Sequence, residues 1–202
     1  MKIGISGAVG IGKTYFVNTL DNSIFLGVEE AARNVNAMYP ERNIEDLREI
    51  IFHHQLAVED VIDKLAENVI AVCDRTVIDN MTFIKLFDNG ISENEKNSVK
   101  AAYANGLKKY DELYYLDYGN SVDPILLEII LWDKFRKKTL GDFASDVNKF
   151  MDFNKKFKEV FLKTAAEFEI PVKVIETDYD EYSLNERNKA LREELLNNFL
   201  GV

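Results

Sequence analysis

In the opening segment MKIGISGAVGIGKT, residues 1 to 14, a short apolar run leads into Gly7, Gly12, Lys13 and Thr14, spaced as the phosphate-cradling pattern GxxxxGK[ST]. Glycine at 7 and 12 permits backbone angles that a side chain forbids, so successive N–H groups can turn inward around a polyphosphate, with Gly10 adding freedom between them. The stretch Gly7, Val9, Gly10, Ile11, Gly12, Lys13, Thr14 and Tyr15 is therefore the expected seat of ATP. There Lys13 would pair with the β- and γ-phosphates and the Thr14 hydroxyl would hold Mg²⁺. A helix beginning near Thr14 would aim its positive end at the anion.

Further chemistry-bearing residues follow other apolar runs. In CDRTVIDN (73 to 80), Asp74 offers a carboxylate for Mg²⁺ or its waters, and Arg75 a guanidinium that can fork onto a phosphate. Asp79 is a candidate substrate contact, although an acid also suits the first turn of a helix. In GVEEAARNV (27 to 35), an acid at Glu29 or Glu30 can accept a proton from an attacking hydroxyl or orient it, and Glu30 and Arg33 share one helix face. Arg136, Lys137 and Lys138 form the densest basic cluster, on a segment suited to closing over phosphates and excluding water. Gln55, flanked by His53 and His54, is a candidate for hydrogen-bonding a base edge or sugar. Tyr114, Tyr115, Phe150, Phe153, Phe157 and Phe161 recur at core-like spacings and read as packing, as does Cys73.

The elements that must position these groups are five short apolar runs alternating with helical patterns: residues 2–6, 23–28, 68–73, 112–117 and 171–176. This alternation predicts an α/β fold with a parallel sheet. Helical spacing is expected over 14–20, 44–67, 80–86 and 93–107, and over 124–169 with a break at Gly141. A closing helix over 183–199 would be capped by Ser183 with Glu186. Ligands of open parallel sheets bind beyond the carboxyl ends of the strands, where the polar residues named above fall.

At 202 residues the chain reads as one domain, spanning 1–202, with a lid or helical segment near 120–170. Its net charge of −10 opposes nonspecific binding to nucleic acid or anionic lipid, so an anionic substrate must meet a local basic pocket. One cysteine forms no internal disulfide, and neither a signal peptide nor a membrane-spanning apolar run is evident, which makes the cytoplasm the expected compartment.

On GAVGIGKT, EEAAR, CDRTVID, YDELYYLD (110 to 117) and DKFRKKT (133 to 139), the chain resembles the P-loop nucleoside and nucleotide kinases, the branch of thymidylate kinase, deoxynucleoside kinases and related kinase-like ATPases. The resemblance implies strand order 2-3-1-4-5, donor phosphates and Mg²⁺ at Lys13 and Thr14, and a metal role for Asp74. It places Glu30 beside the attacking oxygen, Arg33 and Arg75 on the acceptor, Arg136 in the lid, and Thr177 to Tyr179 near adenine. Two lysines follow Arg136 where many relatives carry further arginines, and Thr76 replaces the aromatic or serine of better-defined subfamilies. The activity expected is ATP-dependent phosphoryl transfer to a nucleotide or nucleoside, with a deoxynucleoside monophosphate leading. The alternatives are a nucleotide-dependent regulatory ATPase and a kinase acting on ribosylnicotinamide or on a hydroxymethylated base in DNA. A homodimer is left open.

Overall fold

The computed structural model describes residues 1–65, 69–87, 97, 110–132 and 134–201. The helix expected over 93–107 lies outside these residues save for Asn97. Five strands form one parallel sheet: β1 (Lys2–Gly7), β2 (Phe25–Val28), β3 (Ile70–Asp74), β4 (Glu112–Val122) and β5 (Lys173–Tyr179), in the expected order β2-β3-β1-β4-β5. The central strand β1 is fully buried. Alternation along β3 shows why these runs are apolar throughout: Ile70 and Val72 join the large core containing Phe16, Phe150 and Leu191, while Ala71 and Cys73 pack against Val28, Ile62 and Tyr110 on the other face.

Register brings the site together. Ile5 of β1 lies opposite Asp74 of β3, Val28 of β2 opposite Cys73, and Gly7 opposite Leu116 of β4. The residues that leave these strands, Glu29–Glu30, Asp74–Arg75 and the glycine loop, therefore emerge side by side. β4 extends to Val122, beyond its apolar run, because β5 supplies pairing for the polar tail across a register shift between Tyr118 and Val122.

The helices are α1 (Lys13–Asn18), α2 (Ala31–Met38), α3 (Ile44–Leu65), α4 (Val77–Leu86), α5 (Pro124–Trp132), α6 (Lys134–Leu140), α7 (Val147–Glu167) and α8 (Glu181–Leu200). A short 3-10 turn, Gly141–Ala144, follows α6 at the expected break. α4 starts earlier than its spacing suggests, because Thr76 and Asp79 form a reciprocal capping box. α8 likewise begins before Ser183: the capping side chain is Asp180, which accepts from the Ser183 N–H at 2.9 Å, and this corrects the assignment of the cap to Ser183. Phe150, Phe153, Phe157 and Phe161 are buried along one face of α7, as expected of packing residues. No helix among the described residues is long and apolar enough to cross a membrane.

Candidate active site

Gly7 ends β1 at φ 140°, and a Cβ there would stand 2.1 Å from the Leu116 carbonyl oxygen. Gly12 precedes α1 at φ 89°. Only glycine fits both demands without strain. Between them the carbonyls of five consecutive residues each accept a side-chain hydrogen bond. Lys13 Nζ donates to Gly7 O (3.0 Å) and Ala8 O (2.7 Å), Tyr118 to Val9 O (2.6 Å), Tyr179 to Gly10 O (2.8 Å) and Arg187 Nη1 to Ile11 O (2.9 Å). The Ala8 N–H donates to Leu116 O and the Val9 N–H to Asn154 Oδ1. Among the described residues, the N–H groups of Gly10, Gly12, Lys13 and Thr14 have no partner, so the loop presents unused donors to an anion.

The Thr14 hydroxyl donates to Asp74 Oδ2 at 2.5 Å, while Asp74 Oδ1 is buried with no hydrogen-bond partner. Burial pushes the Asp74 carboxyl up to about 6, with Glu30 adding to the effect and Lys13 and Thr14 opposing it. Burial, aided by Arg75, pulls the Lys13 ammonium down to about 7 against the attraction of Asp74, Glu30 and Asp79. An orphaned carboxylate oxygen beside a threonine hydroxyl suits a hard cation, so this donor set fits Mg²⁺. Among the described residues no three acidic, histidine or cysteine side chains gather into a self-sufficient metal cage. Mg²⁺ ordinarily needs only one or two protein ligands, because phosphates and waters complete its shell.

Across from the loop, Arg75 sits in the left-handed region at φ 69°, its N–H donating to Ile5 O at 3.0 Å. Its guanidinium donates to Glu30 Oε1 at 2.9 Å and to Asp79 Oδ1 at 2.8 Å, and lies 5.3 Å from the Phe83 ring centroid. Burial disfavours this cation, but Glu30, Asp79 and Asp74 more than reverse that and hold it above its ordinary range. Arg33, 43% exposed, brings Nε within 3.7 Å of Glu30 Oε2. A cavity of about 330 Å³ gathers these groups: Gly10, Gly12, Lys13, Thr14 and Tyr15 face Glu30, Arg33, Arg75 and Phe83, with Thr139 and Leu140 of α6 closing one side. A second space of about 50 Å³ shares Glu30, Arg75, Phe83 and Thr139, and adds Ile44, Arg48, Ile51, Asn80 and Phe87.

Three of the expected site residues are engaged within the protein. Asp79 is fully buried and accepts from Ser6 Oγ, Arg75 Nη1 and both the N–H and hydroxyl of Thr76, so its carboxylate orients Arg75 and caps α4. Gln55 is 2% exposed, donates to Glu59 Oε1 at 2.9 Å and lines neither cavity. Lys138 donates to Asn36 Oδ1 (2.6 Å) and Pro40 O (2.8 Å), tying α6 to the end of α2 instead of reaching for phosphate. The Arg136 side chain lies outside the described residues.

The second space and the back of the loop also contain residues to which the sequence assigns no role. Asn80, Phe83 and Phe87 recur at i, i+3 and i+7 after Asp74–Arg75, a helical spacing legible in advance. Arg48, whose Nη1 donates to Phe87 O at 3.2 Å, and Tyr118, Asn154 and Arg187 behind the loop carry no local signal.

A family model described as AAA domain matches residues 2–181. The chain belongs to the AAA domain family. Among solved structures, this AAA domain is similar to deoxyadenosine kinase from M. mycoides with bound dATP (TM-score 0.60, 18% identity, covering 95% of this chain and 98% of that one). The same enzyme with the products dCMP and a flexible dCDP matches at TM-score 0.57 and 22% identity, covering 96% and 98%. Thymidylate kinase from Candida albicans matches at TM-score 0.59 and 15% identity, covering 98% and 91%. Among curated proteins nothing matches. The fold expected from the motifs, that of the P-loop nucleoside and nucleotide kinases, is thus the fold of this AAA domain.

Proposed function

We propose that this AAA domain transfers the γ-phosphoryl group of ATP to a nucleotide or nucleoside, with a deoxynucleoside monophosphate as the favoured acceptor. The observation that carries the reading is one cavity in which the phosphate loop faces a second polar wall of Glu30, Arg33 and Arg75. A regulatory ATPase needs the loop and a water; it does not need a built wall of acceptor-side charge backed by Phe83 and Phe87. Those rings suit the flat face of a base, and the two arginines suit a phosphate on the acceptor. The names of the similar structures support the same substrate class.

Phosphoryl transfer asks the protein mainly for positioning and charge neutralisation. The free N–H groups and Lys13 would hold the donor phosphates. Thr14 and Asp74 would hold Mg²⁺, which supplies charge neutralisation between the donor phosphates when bound. Glu30, bonded to Arg75, would hold that guanidinium in place so that it orients the attacking phosphate oxygen of a monophosphate; where the acceptor is a nucleoside, Glu30 would instead accept a hydrogen bond from its attacking hydroxyl. Arg75 and Arg33 would hold the acceptor on that wall.

The test is ADP release from Mg·ATP with each common deoxynucleoside monophosphate and nucleoside added singly, against a control without acceptor. One stimulating acceptor is the expected result and names the substrate. Slow hydrolysis indifferent to every acceptor would overturn the reading in favour of a regulatory ATPase.

A further inference from the structure

The phosphate loop is gripped from behind by three side chains that do not line the cavity. Tyr118 comes from β4, Tyr179 ends β5 and Arg187 lies in α8, yet their donors fall on the successive carbonyls of Val9, Gly10 and Ile11. The two tyrosine rings brace each other edge to face at 5.0 Å. Arg187 is 7% exposed, and both its Nε and Nη2 donate to Asn188 Oδ1, at 3.1 and 2.8 Å, which leaves Nη1 aimed at Ile11 O. Among the described residues no carboxylate lies within ion-pair distance of it, and burial pulls its ordinary basicity down to about 10.

A peptide unit is planar, so fixing the carbonyl of one residue fixes the direction of the next residue's N–H. Capping Val9 O orients the Gly10 N–H, and capping Ile11 O orients the Gly12 N–H. These are two of the donors left without a partner in the loop. Glycines at both positions would otherwise let these peptides rotate.

We propose that Tyr118 and Arg187 are positioning residues for the phosphate loop, with the Tyr179 ring bracing Tyr118: Tyr118 holds the Gly10 N–H and Arg187 the Gly12 N–H aimed at a polyphosphate before it arrives, and Arg187 adds a positive charge that bound phosphate balances. This rests on the reading that the loop binds a nucleoside polyphosphate. The preorganisation removes an ordering cost that the ligand would otherwise meet on binding.

The experiment measures ADP affinity by calorimetry, acceptor KM and thermal unfolding for the wild type, Tyr118→Phe and Arg187→Gln. Tyr118→Phe deletes the hydroxyl on Val9 O without changing shape, and ADP binding should weaken about fivefold, the worth of one net hydrogen bond. Arg187→Gln should weaken ADP binding by about tenfold or more, because a charge-assisted contact is stronger. The acceptor KM should not change in either variant. Removing a buried cation that lacks a counter-ion should leave the Tm of Arg187→Gln equal to or above the wild type, whereas a merely structural arginine would lower it. ADP affinity unchanged in both variants overturns the inference while the proposed function stands. A fall in Tm with equal losses at both substrates overturns it in favour of general loosening, and a wild type that binds no ADP overturns both.

Discussion

Two clusters of buried charge flank the start of α4, and they are built from the same chemistry to different ends. In one, Lys2 Nζ lies 2.9 Å from Glu59 Oε2 and 3.4 Å from Asp63 Oδ1, while Glu59 Oε1 accepts from Gln55, Tyr110 and the Val77 N–H. In the other, Arg75 bridges Glu30 and Asp79, with Asp74 and Lys13 beside it. Glu59 has donors on both oxygens and borders no described cavity. The second cluster keeps Asp74 Oδ1 without a partner, twists Arg75 to φ 69° and opens on the 330 Å³ cavity. Burial with complete pairing makes a structural anchor; burial with an unmet valence beside a cavity makes a site.

Breaking each cluster should separate activity from stability. Lys13→Ala should cost phosphoryl transfer at least about a thousandfold, with a Tm near the wild type because the lost ammonium is itself costly to bury; acceptor-stimulated ADP release and a melting curve check both. Glu59→Ala should do the reverse. Leaving buried Lys2 with only the longer contact to Asp63, and Gln55, Tyr110 and the Val77 N–H without their acceptor, should cost about 3 kcal/mol of stability, read by urea unfolding, while ADP affinity of the folded protein is retained. A comparable loss of ADP affinity would erase the distinction between the clusters.

Within the second cluster Arg75 is both a paired buried cation and part of the cavity wall, and two substitutions separate these roles. Arg75→Ala and Arg75→Gly should raise the acceptor KM alike. The glycine variant should be more stable than the alanine variant by about 1 kcal/mol, because only alanine carries a Cβ into the left-handed region. Equal stabilities would mean that the backbone relaxes once the guanidinium is gone.

The smallest effect is expected at Cys73, behind the first cluster. Burial, with Glu59 adding, pushes its thiol above the ordinary value of 9.0. The folded protein should resist alkylation at pH 8, and its reactivity should appear only with unfolding. Above about pH 9 the unfolded chain loses a proton that the folded one retains, so this group lowers stability as pH rises further. Rapid alkylation of the native protein would contradict that burial.

Much of this molecule was legible because its signals are local. The loop motif needs only eight adjacent residues, and strands buried on both faces announce themselves as unbroken apolar runs. Acids and bases just after those runs fall at the ligand-binding edge by a general rule of parallel sheets. The internal partners of Asp79 and Gln55 are not legible in advance, because polar residue type alone does not reveal which side of a packed interface a side chain faces. Asp79 sits one helical turn past Arg75, and whether it meets a substrate or Arg75 depends on the φ of Arg75, which no spacing encodes. Lys138 reads as one of three equivalent basic residues until α6 is laid against α2.

The sequence by itself determined the phosphate-loop motif and the five strands, since each depends on neighbours within a few residues. Tertiary structure alone decided which charges are spent on each other and which remain for a ligand. It placed Arg48, Asn80, Phe83 and Phe87 around one space, and it brought Tyr118, Tyr179 and Arg187 to three consecutive carbonyls from segments as much as 176 residues away in the chain. The physical reason is that a hydrogen-bond donor is claimed by whatever acceptor packing brings within about 3 Å, and packing is a property of the whole fold.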